Sequence, residues 1–151
     1  VTWPTDPVRD LLVETVQDAT VIGSPGLVLW DQIKPLGANS WRRFTLAAQT
    51  GNIDTLTNAP AIGAGGICYI NRVYSLDVFY ERGKNKQSPG ADSDLMTDDA
   101  ERIMGAFLRM PYNKQTTGIE KVEPTPWTIS ILPNGQGSVN MILRVLLRRE
   151  L

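Results

Sequence analysis

Val139, Met141, Leu143, Val145 and Leu147 take every second position of the closing stretch "GSVNMILRVLLRREL", which puts these apolar side chains on one side of an extended chain. Such a strand cannot stand alone, because that side has to be covered by a second layer. Its partner precedes it. In "TPWTISILPNGQG", Trp127, Ile129 and Ile131 alternate with Thr128 and Ser130, and Pro133-Asn134-Gly135 then turns the chain, so the two runs form a hairpin. Leu and Arg dominate the second run and would also suit a helix, but the turn and the shared parity favour a strand. On its other side Asn140, Arg144 and Arg148 mix with Ile142 and Leu146. A face too apolar to be wholly wet and too charged to be core suits a subunit contact.

The same reasoning places the other elements. In "DPVRDLLVETVQDA", Val8, Leu11, Leu12 and Val16 share one helical stripe, with Asp6 placed to cap and Pro7 to open the helix. A short β-rich run, "LVLWDQI", follows and stops at Lys34-Pro35. The stretch from Leu36 to Gly66 has no clean period; a second strand is expected around Arg42 to Ala48, then a long loop. From Ile67 to Glu81, "ICYINRVYSLDVFYE" is dense in β-branched and aromatic residues and reads as a long strand, covered on both faces over part of its length. Further on, Asp94 or Thr97 is expected to cap a helix whose Ala100, Ile103, Met104, Phe107 and Leu108 form a stripe, ended by Pro111. The expected architecture is α+β: a mainly antiparallel β-sheet with one or two helices packed on it and a long strand-to-helix loop, in a single domain over residues 1–151.

Composition narrows the function. The chain has no histidine, which removes the common general base, the usual activator of Ser and Cys nucleophiles and the commonest metal ligand. Its single cysteine, Cys68, excludes an intrachain disulfide and reads as small core volume. With 15 basic and 16 acidic side chains the net charge is -1, which gives no global attraction to nucleic acid or an anionic membrane. No apolar run is long enough to cross a bilayer, and "VTWPTDPVRD" lacks the order of a signal peptide, so a soluble protein with no membrane partner is expected.

The short motifs read as structure. "GAGG" at Gly63 to Gly66 precedes a strand, where a phosphate-binding loop would open a helix. "GKNK" at Gly83 to Lys86 lacks the spacing and the Ser or Thr of a nucleotide-binding loop. Asp92, Asp94, Asp98 and Asp99 miss the calcium-loop pattern and are expected at a helix start on dipole grounds alone. "SWRRF" interleaves Trp41 and Phe44 with Arg42 and Arg43; a cross-strand aromatic with two surface arginines is the first reading, an interface anchor the second and a single-strand stacking platform the third. No cofactor, metal or catalytic residue is expected.

The stretch "ERGKNKQSPGADSDLMTDD" carries ordered charge: Arg82, Lys84 and Lys86 come first, then Asp92, Asp94, Asp98 and Asp99. One reading is a surface connection; the other is a bipolar arm that docks on an identical neighbour or a charged partner ring. The helix "DPVRDLLVETV", the long strand "RVYSLDVFYERG", this polar loop, the helix "TDDAERIMGAFL" and the closing pair "WTISIL" and "NMILRVLLRREL" together resemble the tail terminator proteins of long-tailed bacteriophages.

The resemblance is one of order and character, covers most of the chain and leaves Leu36 to Gly66 unmatched. It implies a non-enzymatic virion protein, assembled in the host cytoplasm, that forms a hexameric ring on the head-proximal end of the tail tube. There it would halt polymerisation of the tube protein and offer a surface to the neck or stopper protein, with DNA only passing through. The projecting element would be the loop from Arg82 to Asp94, and the face from Asn140 to Arg148 a subunit contact. Another head-tail connector ring is the nearest alternative. A small enzyme using Asp77, Glu81 and the Asp92 to Asp99 cluster, or a nucleic-acid-binding module built on "SWRRF" and the loop lysines, would belong to other classes.

Overall fold

The computed structural model describes residues 6–19, 28–29, 42–53, 67–80, 89–109, 118–131 and 136–150. In chain order these form α1 (Pro7–Ala19), β1 (Val28–Leu29), β2 (Arg42–Ile53), β3 (Ile67–Tyr80), α2 (Pro89–Arg109), β4 (Ile119–Pro124), β5 (Thr128–Ile131) and β6 (Gly137–Glu150). The sheet order is β1-β2-β3-β6-β4, with β5 also on β6. Among the described strands only β1 and β2 run parallel; every other pair is antiparallel. The α+β class read from the sequence is therefore the observed one.

The long closing strand organises the sheet. β3 pairs with β6 along its whole length, from Ile67 opposite Glu150 to Tyr80 opposite Gly137. The other edge of β6 is shared by β5, opposite residues 137–140, and β4, opposite residues 143–147. At the break between them the Thr125 amide donates to the Ile142 carbonyl at 2.8 Å, and the Ile142 amide donates to Thr125 Oγ1 at 3.0 Å. β4 went unread in the sequence because "IEKVEP" carries three charges and a proline. As an edge strand it tolerates both.

One face of the sheet is the core. Val139, Met141, Leu143, Val145 and Leu147 are all buried there, as their parity predicts, and rows such as Phe44, Val78, Val139 and Ile129 run across the strands. The helices cover this face through Val8, Leu12, Val13 and Val16 of α1 and Met96, Ala100, Ile103 and Phe107 of α2. Val8 N donates to Asp6 Oδ1 at 3.0 Å, so Asp6 caps α1 as expected. The same carboxylate reaches the sheet, since Arg72 Nη1 donates to Asp6 Oδ2 at 2.8 Å. Leu108, placed on the buried stripe by its spacing, is 66% exposed, because the stripe follows Ala100, Ile103 and Phe107 and Leu108 lies one step round from it.

α2 begins at Pro89, not at the Asp94 or Thr97 cap that the sequence suggested. Proline lacks the N–H that a first helical residue would leave unpaired, and its fixed φ suits that position. Asp92 and Asp94 therefore belong to the helix, so the loop expected from Arg82 to Asp94 gives way to helix at Pro89; residues 81–88 lie outside the described residues.

Two glycines are set by space. Gly118 has φ 74°, and a Cβ there would meet the Arg148 carbonyl oxygen. At Gly137 a Cβ would meet the terminal methyl of buried Met96.

Candidate interaction face

The residues singled out from the sequence part into three groups. Trp41, Arg82, Lys84 and Lys86 lie outside the described residues, as does the side chain of Asp92. Asp94 is exposed on α2. Arg42 and Arg43, expected at the surface, are buried at 4% and 7% exposure.

Arg42 has a physical reason to be inside. It projects from the helix-covered face of β2 opposite Tyr80, where Arg42 Nη1 donates to both carboxylate oxygens of Asp99 at 3.2 and 3.3 Å. Tyr80 Oη donates to Asp99 Oδ2 at 2.7 Å. A buried charge needs a counter-charge and hydrogen bonds, and Asp99, one turn into the buried part of α2, supplies them. Burial lifts the Asp99 carboxyl above the usual carboxylate range, outweighing the pull of Arg42, and burial with Asp99 beside it holds the Tyr80 hydroxyl well above its own. Asp99 was thus a structural anchor inside what looked like a surface acidic cluster. Its neighbour Asp98 stays outside, accepting from Arg102 Nε at 2.7 Å.

Arg144 and Arg148 are exposed on the face of the sheet away from the helices. Pairing register assembles that face in rows: Thr45, Asp77, Asn140 and Thr128; then Thr50, Val73, Arg144 and Glu123; then Asn52, Asn71, Leu146 and Lys121. In the first row Asn140 Nδ2 donates to Asp77 Oδ1 at 2.8 Å and to Ser75 Oγ at 3.2 Å, and Ser75 donates to Asp77 Oδ2 at 3.2 Å. The other two rows line an open groove of about 390 Å³, formed by Asn52, Asn71, Val73, Lys121, Glu123, Arg144 and Leu146. Lys121 Nζ and Glu123 Oε1 are 2.7 Å apart at its rim.

This arrangement can make contacts. It offers amides, opposite charges and the apolar sides of Val73 and Leu146, a mixture typical of non-obligate interfaces. The hydroxyl that stands beside a carboxylate on this face, Ser75 on Asp77, is buried and also held by Asn140. Among the described residues no group of acidic or sulfur side chains could hold a metal, and no helix is long and apolar enough to cross a membrane. No protein-family model and no curated protein matches this chain. Asn52, Asn71, Lys121 and Glu123 escaped the sequence reading because their meeting depends on the register of four strands. The mixed parity of β6 was the local signal, and it marks the face that carries the groove.

Proposed function

We propose that this chain is a structural virion protein. It forms a homo-oligomeric, hexameric ring at the head-proximal end of a phage tail tube, stops tube polymerisation and joins the tail to the neck or stopper protein. It acts by assembly and not by catalysis. The observation that carries this reading is the order of elements, a helix, a long central strand, a second helix and a closing hairpin, built round a sheet whose outer face stays open and mixed in character.

The burial of Arg42 and Arg43 weakens the nucleic-acid alternative, because neither guanidinium is offered to a strand from the surface. Another connector ring of the same head-tail junction is the nearest alternative reading and would differ in the neighbours it touches. The test is charge reversal at Arg144 and Arg148 in the assembling particle. Both are exposed, so the protein should fold normally. The reading predicts tails that fail to mature or to receive heads; normal particles from the double reversal would count against the assigned face.

A further inference from the structure

We propose that copies of this chain join edge to edge, the part of β2 that no described strand covers in one copy adding as a strand beside β5 of the next. This rests on the ring reading and names the contact that closes it.

β2 is a twelve-residue strand, yet β1 pairs only with Arg43 and Phe44. Beyond them Ala47, Ala48, Gln49, Thr50, Gly51 and Asn52 are all exposed, and from Phe44 to Ile53 the strand holds no charge and no proline. Natural sheets guard their edges with lysine, proline, covering segments or very short strands, since an open edge offers unpaired N–H and C=O groups to any other strand. Here a bulge lies between Ala48 and Thr50, and Arg9 Nε donates to the Leu46 carbonyl at 3.1 Å, just before the exposed stretch. On the opposite side of the sheet β5, "TISI", is short but likewise uncharged and proline-free, with Thr128, Ser130 and Ile131 exposed.

Direction and height decide how the two edges meet. β2, β3, β6 and β5 alternate in direction, so β5 runs opposite to β2. A copy repeated by rotation therefore sets its β2 antiparallel to β5, the stronger ladder. Phe44, Val78, Val139 and Ile129 share one level, and there β1 already occupies the β2 edge. A level junction is blocked. The open stretch is centred on Thr50, which is opposite Val73; set beside Ser130, whose level is that of Phe79, it lies six residues along β3. That stagger is about 20 Å, against about 19 Å for four strand spacings, giving a tilt of roughly 45°, at the upper end of the range that closed sheets adopt. Because two different edges join, the contact is heterologous and propagates round a ring.

Disulfide trapping tests this. Thr50 and Ser130 point to the same outer face, so a Thr50→Cys, Ser130→Cys double variant in a Cys68→Ser background should give, on mild oxidation, a ladder of covalent multimers that neither single variant gives. Hydrogen exchange at Ala47–Asn52 and Thr128–Ile131 should slow at least tenfold on assembly. A covalent dimer from Thr50→Cys alone would mean two-fold pairing of β2 with itself and overturn the proposal. A ring that shows neither ladder nor protection overturns the edge contact and leaves the ring reading standing. A chain that stays monomeric, alone and with tail tubes, overturns both.

Discussion

Asp6→Ala should destabilise the protein by about 1.5 to 2 kcal/mol, and the two jobs of this carboxylate can be separated. Oδ1 accepts from Val8 N at 3.0 Å and closes the first turn of α1. Oδ2 accepts from Arg72 Nη1 at 2.8 Å, with Tyr74 Oη at 3.5 Å, and ties that turn to β3. Losing a cap costs about 1 kcal/mol. The ion pair, with side chains 30% and 40% exposed, is screened by water and adds at most about 1 kcal/mol. Asp6→Asn keeps the cap and removes the charge, so it should cost about 0.5 kcal/mol, as should Arg72→Met. Urea unfolding reads these as shifts in midpoint with an unchanged slope. High salt should shrink the gap between wild type and Asp6→Asn but leave the cost of losing the cap. If Asp6→Ala costs no more than Asp6→Asn, the capping argument is wrong; if the Asn variant carries the whole loss, the pair is far stronger than its exposure allows.

Three further outcomes are expected. Asp99→Ala strips Arg42 and Tyr80 of their buried acceptor and should cost about 3 to 5 kcal/mol in urea unfolding, whereas Tyr80→Phe should cost about 1.5 to 3 kcal/mol. Because burial raises Asp99 in the folded protein, the native state holds this proton more tightly than the unfolded chain. Stability from this group is highest below the ordinary carboxylate pKa and falls as pH rises towards the raised value, so wild type should lose ground to Asp99→Asn across that window; a gain would contradict the assignment. Gly118→Ala forces a side chain into a left-handed backbone and against the Arg148 carbonyl, and thermal unfolding should report a loss of about 1 to 3 kcal/mol.

Periodicity made the architecture legible. Alternation in β6 and β5, the helical stripes of α1 and α2 and the aromatic density of β3 are local patterns, and each produced the element expected. β2 was anticipated at its start but runs on to Ile53 through "QTGN", where weak strand formers are held by pairing with β3. The start of α2 was misplaced because acidic residues that favour a first turn can equally cap one. Arg42 and Asp99 look like surface charges in sequence; their pairing across 57 positions is a tertiary fact that neither neighbourhood encodes. The outer face was half visible, in the mixed parity of β6, while its groove depends on residues from β2, β3 and β4 that carry no pattern of their own.

The central claim is assembly into a ring that caps a tube. Native mass of the purified protein, alone and mixed with purified tail tubes, followed by imaging of the tube ends, tests it most directly. The account predicts a hexamer in solution or on the tubes, with density closing one end of tubes of fixed length. A protein that remains monomeric and leaves both tube ends bare contradicts it.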